Sequence, residues 1–212
     1  ALALEIERVK ATLQMGFHDY ETAVRGAVGL YVAEQGLDPA SWQRYLRAMD
    51  FERTSPGMEG MWILPAPGAG QQVAWREART QLDEARDTGD GRLVAGMLAP
   101  KAGGDVPSVT LCVPVYRFGV PITSVAERRS ALLGWVAAPI QAPALAQGLA
   151  SAASPRVDVE VYNGPVPDPR TLLFDLDRCG NNGPHRSGGR QELDSLAFWG
   201  QKWTLRFTAL PA

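Results

Sequence analysis

Residues 113–140, VPVYRFGVPITSVAERRSALLGWVAAPI, contain the pattern that predicts the fold. Their first part continues an apolar, β-branched run that starts at Ser108 and is typical of a strand. Ser124 and Glu127 have the spacing of a capping box, which predicts the start of a short helix, AERRSALL. That helix leads directly into a second apolar run, GWVAAPI, which again predicts a strand. The stretch therefore encodes a strand, a short helix and a strand with few connecting residues.

The segments on either side extend this sheet pattern. Upstream, residues 93–98 predict a strand, and the loop KAGGD suits a hairpin turn between it and the strand at 108–117. Downstream, Pro143 is expected to open a helix, residues 157–162 alternate valine with polar residues as a half-buried strand does, and TLLFDLD repeats that pattern. One face of a last strand is predicted to carry Trp199, Trp203, Leu205 and Phe207. Strands joined mostly by short turns, with helices on one side, predict an α+β fold with antiparallel sheets.

The N-terminal stretch to about Glu34 predicts one long helix. Its apolar residues recur every three or four positions, at Leu2, Ile6, Val9, Leu13, Phe17, Tyr20, Val24, Ala27 and Tyr31. This stripe has two interpretations: the helix lies along the core of its own domain, or it is a stalk that also meets a second copy of itself. Asp38 and Pro39 then predict the N-cap and first residue of a second helix. A further helix is predicted over residues 73–88, ended by Gly89.

Composition excludes several classes of protein. The chain has 212 residues and a net charge of −2, with a pI near 5.8. It therefore lacks the basic face of a sequence-independent nucleic-acid binder. No apolar run is long enough to span a bilayer, and the first residues do not have the pattern of a signal peptide, so we expect any targeting segment to lie outside this chain. Cys112 and Cys179 are expected to be separate thiols, with a bridge in an oxidising compartment as the alternative.

The sequence offers no recognisable catalytic or metal site. The two histidines, His18 and His185, have no nucleophile or base partner that spacing identifies, and no zinc-ligand spacing occurs. Asp175 and Asp177 share one face of a predicted strand and are interpreted as its solvated edge. The tryptophans Trp42, Trp62 and Trp135 are expected to fill the core, and Arg128 and Arg129 to face solvent. The residues thus indicate a domain that binds rather than converts, with no catalytic residues, metal or cofactor.

Residues 113–140, preceded by EARDTGDGRLV and followed by a helix and the strand VDVEVYN, resemble the second half of a CHASE domain. This is the extracytoplasmic sensor module of cytokinin receptors and of bacterial sensor kinases and cyclic-di-GMP enzymes. The P-G-x-x-G turn at Pro56, Gly57 and Gly60 and the ending FWGQKWTLRFTALP are similar to other parts of the family. The block from Arg86 to Pro139 is the most specific part of the resemblance.

The resemblance implies a long stalk helix followed by two PAS-like sheets, with the ligand in the membrane-distal one. Residues 1–50 would form the stalk helix and the helix after it, 51–140 the distal ligand-binding subdomain, and 141–212 the membrane-proximal subdomain. The residues implied to face the distal pocket are Leu93, Val94, Leu111, Val113, Gly134 and Val136. Apolar strand positions and a glycine without a side chain are compatible with a cavity, although the same residues could simply fill the core.

The family also implies the surroundings of the domain. The chain would be the periplasmic part of an inner-membrane receptor, attached through flanking membrane helices absent from this sequence, and dimeric through the N-terminal helix. The output would be a histidine kinase or a cyclic-di-GMP enzyme, and the ligand an unidentified small molecule. The alternative is a constitutive dimerisation or interaction module without a ligand. The segment between the P-G-x-x-G turn and Arg86 is several dozen residues shorter than is usual in the family, so no residue inherits the ligand-anchoring carboxylate of cytokinin receptors.

Overall fold

The computed structural model describes residues 2–34, 36, 38–66, 78–95, 108–150, 153–154, 156–176 and 189–210. The helices in this part of the chain are α1 (Leu2–Ala33), α2 (Pro39–Met49), α3 (Phe51–Thr54), α4 (Arg79–Thr88), α5 (Val125–Ala131) and α6 (Ala142–Ala150), with a 3-10 turn at Pro169–Thr171. The strands are β1 (Trp62–Pro65), β2 (Arg92–Ala95), β3 (Ser108–Tyr116), β4 (Leu132–Gln141), β5 (Val157–Asn163), β6 (Leu172–Asp175), β7 (Gln191–Phe198) and β8 (Gln201–Ala209).

These strands form two four-stranded antiparallel sheets. Sheet A has the strand order β1-β4-β3-β2, and sheet B has the order β6-β5-β8-β7. The chain divides into two compact units: the A unit spans Asp19–Gly104 and Ser108–Ile140, and the B unit consists of Ala1–His18, Asp105–Pro107 and Gln141–Ala212. The predicted fold class, a long helix followed by two antiparallel sheets with flanking helices, is therefore confirmed.

Local signals in the sequence position several helix ends. The side chain of Asp38 accepts hydrogen bonds from the first turn of α2, and Ser124 and Glu127 form the complete capping box of α5. Gly89 has a φ of 84° and ends α4, because this left-handed conformation is accessible to glycine. The described part of the predicted third helix is Arg79–Thr88, and residues 73–77 lie outside the described residues.

Sheet A is covered on both faces. All but the end residues of β3 are buried, as is β4 from Gly134 to Ile140, which is typical of a sheet packed between two layers. On one face, α4 lies over β2 and β3. Trp62 was expected in the core, but it is 39 % exposed because it belongs to the edge strand β1.

The second half of α1 is tied to the A unit by Tyr20, whose hydroxyl donates a hydrogen bond to the carbonyl of Pro56. Burial raises the pKa of this hydroxyl to about 12. The segment after Pro56 then returns to sheet A, since Met58 forms a β-bridge with Ile140 at the end of β4. In the same unit, the indole nitrogen of Trp42 donates to the carbonyl of Met61 at 3.2 Å.

In the B unit, the first half of α1 contacts the apolar face of sheet B. The ring of Phe17 lies 4.4 Å from that of Phe198 and 5.0 Å from that of Trp203, centroid to centroid. The ammonium group of Lys10 donates to Asp194 of β7 at 2.8 Å. Strand β7 was not predicted, and the sequence between the last two predicted strands was interpreted as a loop.

The apolar stripe of α1 is largely buried within the chain. Seven of its nine positions are buried: Ile6, Val9, Leu13, Phe17, Tyr20, Val24 and Ala27. The first interpretation of the stripe, a helix lying along its own core, accounts for them. Two other apolar residues of α1, Leu4 and Met15, are 74 % and 62 % exposed and lie off the stripe.

The other face of sheet B is polar and nevertheless buried. Strand β5 was expected to be half-buried, but Asp158 and Glu160 are only 2 % and 4 % exposed. The guanidinium of Arg206 on β8 binds Glu160 in a bidentate pair, which compensates the buried charge. Asp175, expected at a solvated edge, is 3 % exposed and faces Glu160 in the β5–β6 register. That expectation was wrong for Asp175, and Asp177 lies outside the described residues.

Candidate ligand-binding site

The six residues predicted to face a pocket lie on both faces of sheet A. Leu93 is opposite Leu111 in the β2–β3 register, whereas Val94 is opposite Thr110. Since successive strand residues point to opposite faces, Leu93 and Val94 cannot face the same pocket. Val94 packs with α4 in a cluster that also contains Cys112 and Trp135. We call this side of sheet A the α4 face.

The other five predicted residues lie away from α4. By strand alternation, Leu93, Leu111, Val113, Gly134 and Val136 share the face opposite to it. Their four apolar side chains are at most 2 % exposed. The structure thus brings five of the six together on one closely covered face and separates Val94 from them.

Gly134 has a specific backbone role. It has a φ of 155°, and a Cβ at this position would lie 2.1 Å from the carbonyl oxygen of Leu64. The neighbouring strand β1 therefore approaches too closely for any side chain here. The glycine allows this close pairing, and the space beside it is filled by the backbone of β1.

The α4 face is lined by small and apolar side chains with a tryptophan at its centre. The buried cluster consists of Ala78, Leu82, Ala85, Val94, Cys112, Trp135 and Ala137, with Leu64, Ala66 and Leu132 packed against it. Burial raises the pKa of the Cys112 thiol, so this sulfur is uncharged. Cys179 lies outside the described residues, and the question of a bridge stays a prediction.

Three buried polar atoms at or beside the α4 face have no hydrogen-bond partner in the part of the chain that the structure describes. They are the indole nitrogen of Trp135, Nε of Arg92 and Oε1 of Gln81. Trp135 is 4 % exposed and belongs to the α4 cluster. Arg92 is opposite Cys112 in the β2–β3 register, which places it on the same face, and Gln81 lies on α4 beside the buried Leu82. Trp135 was expected to fill the core, which it does, whereas the sequence analysis did not single out Arg92 or Gln81.

The C-terminal end of α4 is held in place by a polar network. The Asp87 carboxylate accepts two hydrogen bonds from Arg129, at 3.0 and 2.5 Å, and one from Arg86 at 2.6 Å. Arg128 donates to the carbonyl of Asp87 at 2.7 Å, and the hydroxyl of Tyr116 donates to that of Arg86 at 2.5 Å. The guanidinium groups of Arg129 and Arg86 hold the pKa of Asp87 well below its usual range. Arg128 and Arg129 were expected to face solvent; the Arg129 side chain is 57 % exposed, and both residues also join α5 to α4.

A separate groove of about 330 Å³ lies at the end of α1 in the A unit. Tyr31, Tyr116, Phe118 and Leu133 are among its lining residues. Phe118 and Leu133 are 75 % and 39 % exposed, so the groove is open to solvent. Its wall is formed mainly by aromatic rings and apolar side chains.

Other kinds of site are not found among the described residues. They contain no group of three or more histidine, cysteine, aspartate or glutamate side chains placed to hold a metal ion. His18 is exposed on α1, and His185 lies outside the described residues. Within the same ranges, no helix combines the length and apolarity needed to cross a bilayer.

The fold is that of ligand-binding domains of bacterial chemoreceptors. The ligand-binding domain of the Pseudomonas aeruginosa PAO1 amino acid chemoreceptor PctB, solved in complex with L-Arg, superposes with a TM-score of 0.60 at 12 % identity. That match covers 96 % of this chain and 91 % of the other. The ligand-binding domain of the Campylobacter jejuni chemoreceptor Tlp3, in complex with L-valine, gives a TM-score of 0.54 at 9 % identity, over 97 % and 90 % of the two chains.

The family match is narrower and agrees with the sequence analysis. The model of the CHASE domain matches residues 70–174, close to half of the chain, and this confirms the CHASE resemblance over that segment. It includes α4, α5 and strands β2 to β5. No curated protein matches the chain in sequence. The family match and the fold together support an extracytoplasmic ligand-sensing domain, a sensor rather than a catalytic domain.

Proposed function

We propose that this chain is the small-molecule-sensing domain of a transmembrane signalling receptor, with its ligand bound in the A unit. The observation that carries the proposal is the CHASE match over residues 70–174, which includes α4 and three of the four strands of sheet A. On this proposal, the present chain is the periplasmic part of the receptor, and the receptor is anchored in the inner membrane.

The two similar structures support a small ligand. One was solved with L-Arg and the other with L-valine, and the present chain covers at least nine tenths of each. Both compounds are small molecules. A domain of this fold can therefore enclose a metabolite of that size, and we extend this capacity to the A unit.

Signalling follows from differential binding. A ligand that binds one conformation of the domain more tightly shifts the population towards that conformation. Membrane helices before α1 and after β8 would carry the shift to a cytoplasmic output, a histidine kinase or a cyclic-di-GMP enzyme. The ligand needs to favour one state by only about 1–3 kcal/mol for a useful change in output.

The proposal includes the homodimer through α1 that the sequence analysis expected. We assign its contact to a different face of this helix. The apolar stripe is occupied by the chain's own core, whereas Leu4 and Met15 are exposed on the same helix. Changing both to glutamate should abolish a dimer seen by light scattering and leave the circular dichroism spectrum unchanged. A dimer that persists in this variant would contradict the assignment.

The function is tested by measuring the melting temperature of the chain against a panel of amino acids, nucleobases, organic acids and sugars. A ligand should raise the melting temperature in proportion to the logarithm of its concentration. The constitutive interaction module, which is the alternative function, predicts a tight dimer and no change with any compound. That second result would overturn the sensor proposal.

A further inference from the structure

We propose that the groove at the end of α1 is a second binding site of the A unit, and that its ligand is a small aromatic carboxylate. The groove has a volume of about 330 Å³, and its lining residues include Tyr31, Gly36, Tyr116, Arg117 and Phe118. All of them belong to the A unit. The inference goes beyond the proposed function, because a sensor with its ligand elsewhere in this unit does not require the groove.

The size and the wall of the groove suit an aromatic ring. An apolar cavity of about 150 Å³ holds benzene. The groove has about twice that volume, which is enough for one ring with a short acidic side chain. Ligand sites are typically concave and lined by apolar and aromatic side chains with few polar groups. Tyr31, Tyr116, Phe118 and Leu133 form such a wall here.

On one side of the groove, an aromatic ring is held in solvent by a well-anchored loop. Phe118 is 75 % exposed. The loop that carries it is attached at both ends, since the backbone N–H of Arg117 donates to the carbonyl of Ala131 and a guanidinium N–H of Arg128 donates to that of Ile122, each at 2.8 Å. The exposed position of the ring is therefore fixed before a ligand arrives, which lowers the entropic cost of binding.

The opposite side of the groove is built around a glycine. Gly36 follows α1 with a φ of 100°, and its N–H donates to the carbonyl of Tyr31 at 2.9 Å. A Cβ on Gly36 would lie 3.8 Å from the hydroxyl oxygen of Tyr31, so this hydroxyl lies above the glycine with no side chain between them. It has no hydrogen-bond partner among the described residues. The hydroxyl is thus available as a donor to a ligand.

The charge of the groove favours an anion. Arg117 is exposed, and its guanidinium forms no ion pair within the described part of the chain. Arg128 and Arg129 on the neighbouring α5, in contrast, bind the carbonyl and the carboxylate of Asp87. The described lining residues of the groove include no acidic side chain. A carboxylate therefore complements Arg117, whose planar guanidinium can donate two parallel N–H bonds to it.

The wall and the charge together define one class of ligand. A ring packs against Phe118 and the tyrosine rings, while the attached carboxylate pairs with Arg117 and accepts a hydrogen bond from Tyr31. An ammonium group next to that carboxylate would be repelled by Arg117. An arylacetate or arylpropionate is therefore a better ligand than the aromatic amino acid with the same ring.

Tyr116 connects the groove to α4. Its ring lines the groove, and its hydroxyl donates to the carbonyl of Arg86 in the last turn of α4 at 2.5 Å. A ligand packed on this ring restrains the side chain that holds this end of the helix. We therefore expect binding in the groove to change the environment of Asp87 and Thr88 as well.

The test is a titration of the complete, 15N-labelled chain with 3-phenylpropionate, followed by NMR. The acid should shift the backbone N–H signals of Gly36, Arg117, Phe118 and Leu133 most, with smaller shifts at the end of α4 and a dissociation constant of about 1 mM or below. Its carboxamide and 3-phenylpropylamine should bind at least about 5-fold more weakly, because neither offers Arg117 an anion. L-Phenylalanine, which adds only the ammonium group, should also bind at least about 5-fold more weakly.

Four results would overturn the inference. They are equal affinities for the acid and its carboxamide, shifts confined to residues away from the groove, tighter binding of L-phenylalanine than of 3-phenylpropionate, and no shift with the acid at about 10 mM. None of them removes the sensor function, which the panel of melting temperatures tests separately.

The residues are tested with exposed variants and matched controls. Arg117→Gln removes the charge and Phe118→Ala removes the ring, and each should raise the dissociation constant at least about 5-fold. Arg47→Gln is the control for charge, since Arg47 is exposed on α2 of the same unit and has no ion pair among the described residues. Leu193→Ala is the control for exposed apolar area, since Leu193 is 59 % exposed in the B unit.

Both controls should leave the dissociation constant within about 2-fold of the wild-type value. Equal effects of Arg117→Gln and Arg47→Gln would reduce the binding to general attraction of an anion and overturn the site. Unchanged binding in both Arg117→Gln and Phe118→Ala would overturn it as well.

A second copy of the chain is the competing occupant of the groove, and light scattering distinguishes it. A dimer that is lost in Phe118→Ala and kept in the variant with Leu4→Glu and Met15→Glu would show that the groove is covered by another protomer, which would overturn the inference. Binding of 3-phenylpropionate with no change in the scattered mass is the expected result.

Discussion

Sheets A and B have the same strand number and antiparallel pairing, but they treat buried polar groups differently. In sheet B, the buried Glu160 is neutralised by Arg206 from the neighbouring strand, and Thr204 donates to the carbonyl of Gly164 at 2.7 Å. On the α4 face of sheet A, by contrast, the buried Nε of Arg92 has no hydrogen-bond partner among the described residues; the indole nitrogens of Trp135 in sheet A and Trp203 in sheet B have none there either. The pairing in sheet B thus contributes to the stability of the fold, whereas the proposed function places an external ligand in the A unit.

The largest effect is expected in sheet B. Arg206→Met should lower the free energy of unfolding by about 3–5 kcal/mol, since it leaves the Glu160 carboxylate buried and uncompensated. Urea denaturation measures the change. The double variant with Glu160→Met should recover a large part of the loss, and a double variant no more stable than Arg206→Met would contradict the assignment.

A smaller loss is expected at the closest backbone approach in sheet A. Gly134→Ala places a Cβ 2.1 Å from the carbonyl oxygen of Leu64 and should cost about 3 kcal/mol through displacement of β1. Gly29→Ala in α1 is the matched control, because nothing lies within 4 Å of its Cβ position. That variant should gain up to about 1 kcal/mol by helix propensity. Similar melting temperatures for the two variants would refute the close-approach argument.

The network at the end of α4 predicts a pH dependence. The pKa of Asp87 is lowered in the folded chain, so its contribution to stability is complete above its unfolded value, near 4, and is lost as the pH falls towards the lower folded value. Asp87→Asn should therefore cost about 1–2 kcal/mol at neutral pH and progressively less below about pH 4. Chemical denaturation at several pH values measures this. A cost independent of pH down to the acid limit would contradict the ion-pair account.

The smallest change in stability is expected for Trp135→Phe in the ligand-free chain. Trp135→Phe removes a buried donor that has no described partner, which offsets part of the lost packing, so the free energy of unfolding should fall by less than about 1.5 kcal/mol. A loss above about 3 kcal/mol in the ligand-free chain would indicate an internal role for the indole nitrogen.

Features that depend on neighbouring residues were predicted correctly from the sequence. The N-cap Asp38, the capping box of Ser124 and Glu127 and the terminator Gly89 are examples, because the contacts that define them lie within a few residues. The strand between residues 108 and 117 was also found to within one residue. These signals were sufficient for the fold class.

Features that depend on residues far away in the sequence were not predicted correctly. Burial of Glu160 depends on Arg206, which is 46 positions away in the chain. Strand β7 has few β-branched residues, since it is an edge strand with several exposed polar side chains, and its propensity gave no signal. Assigning both Leu93 and Val94 to one pocket overlooked strand alternation, which already separates neighbouring residues. Trp135 could have been found as the only indole donor in the central strands of sheet A.

Amide hydrogen exchange with and without a compound that raises the melting temperature tests the central claim most directly. The account predicts slower exchange in α4 and in β2 to β4, with exchange in β5 to β8 unchanged apart from the global gain in stability. Protection confined to sheet B would contradict the placement of the ligand in the A unit.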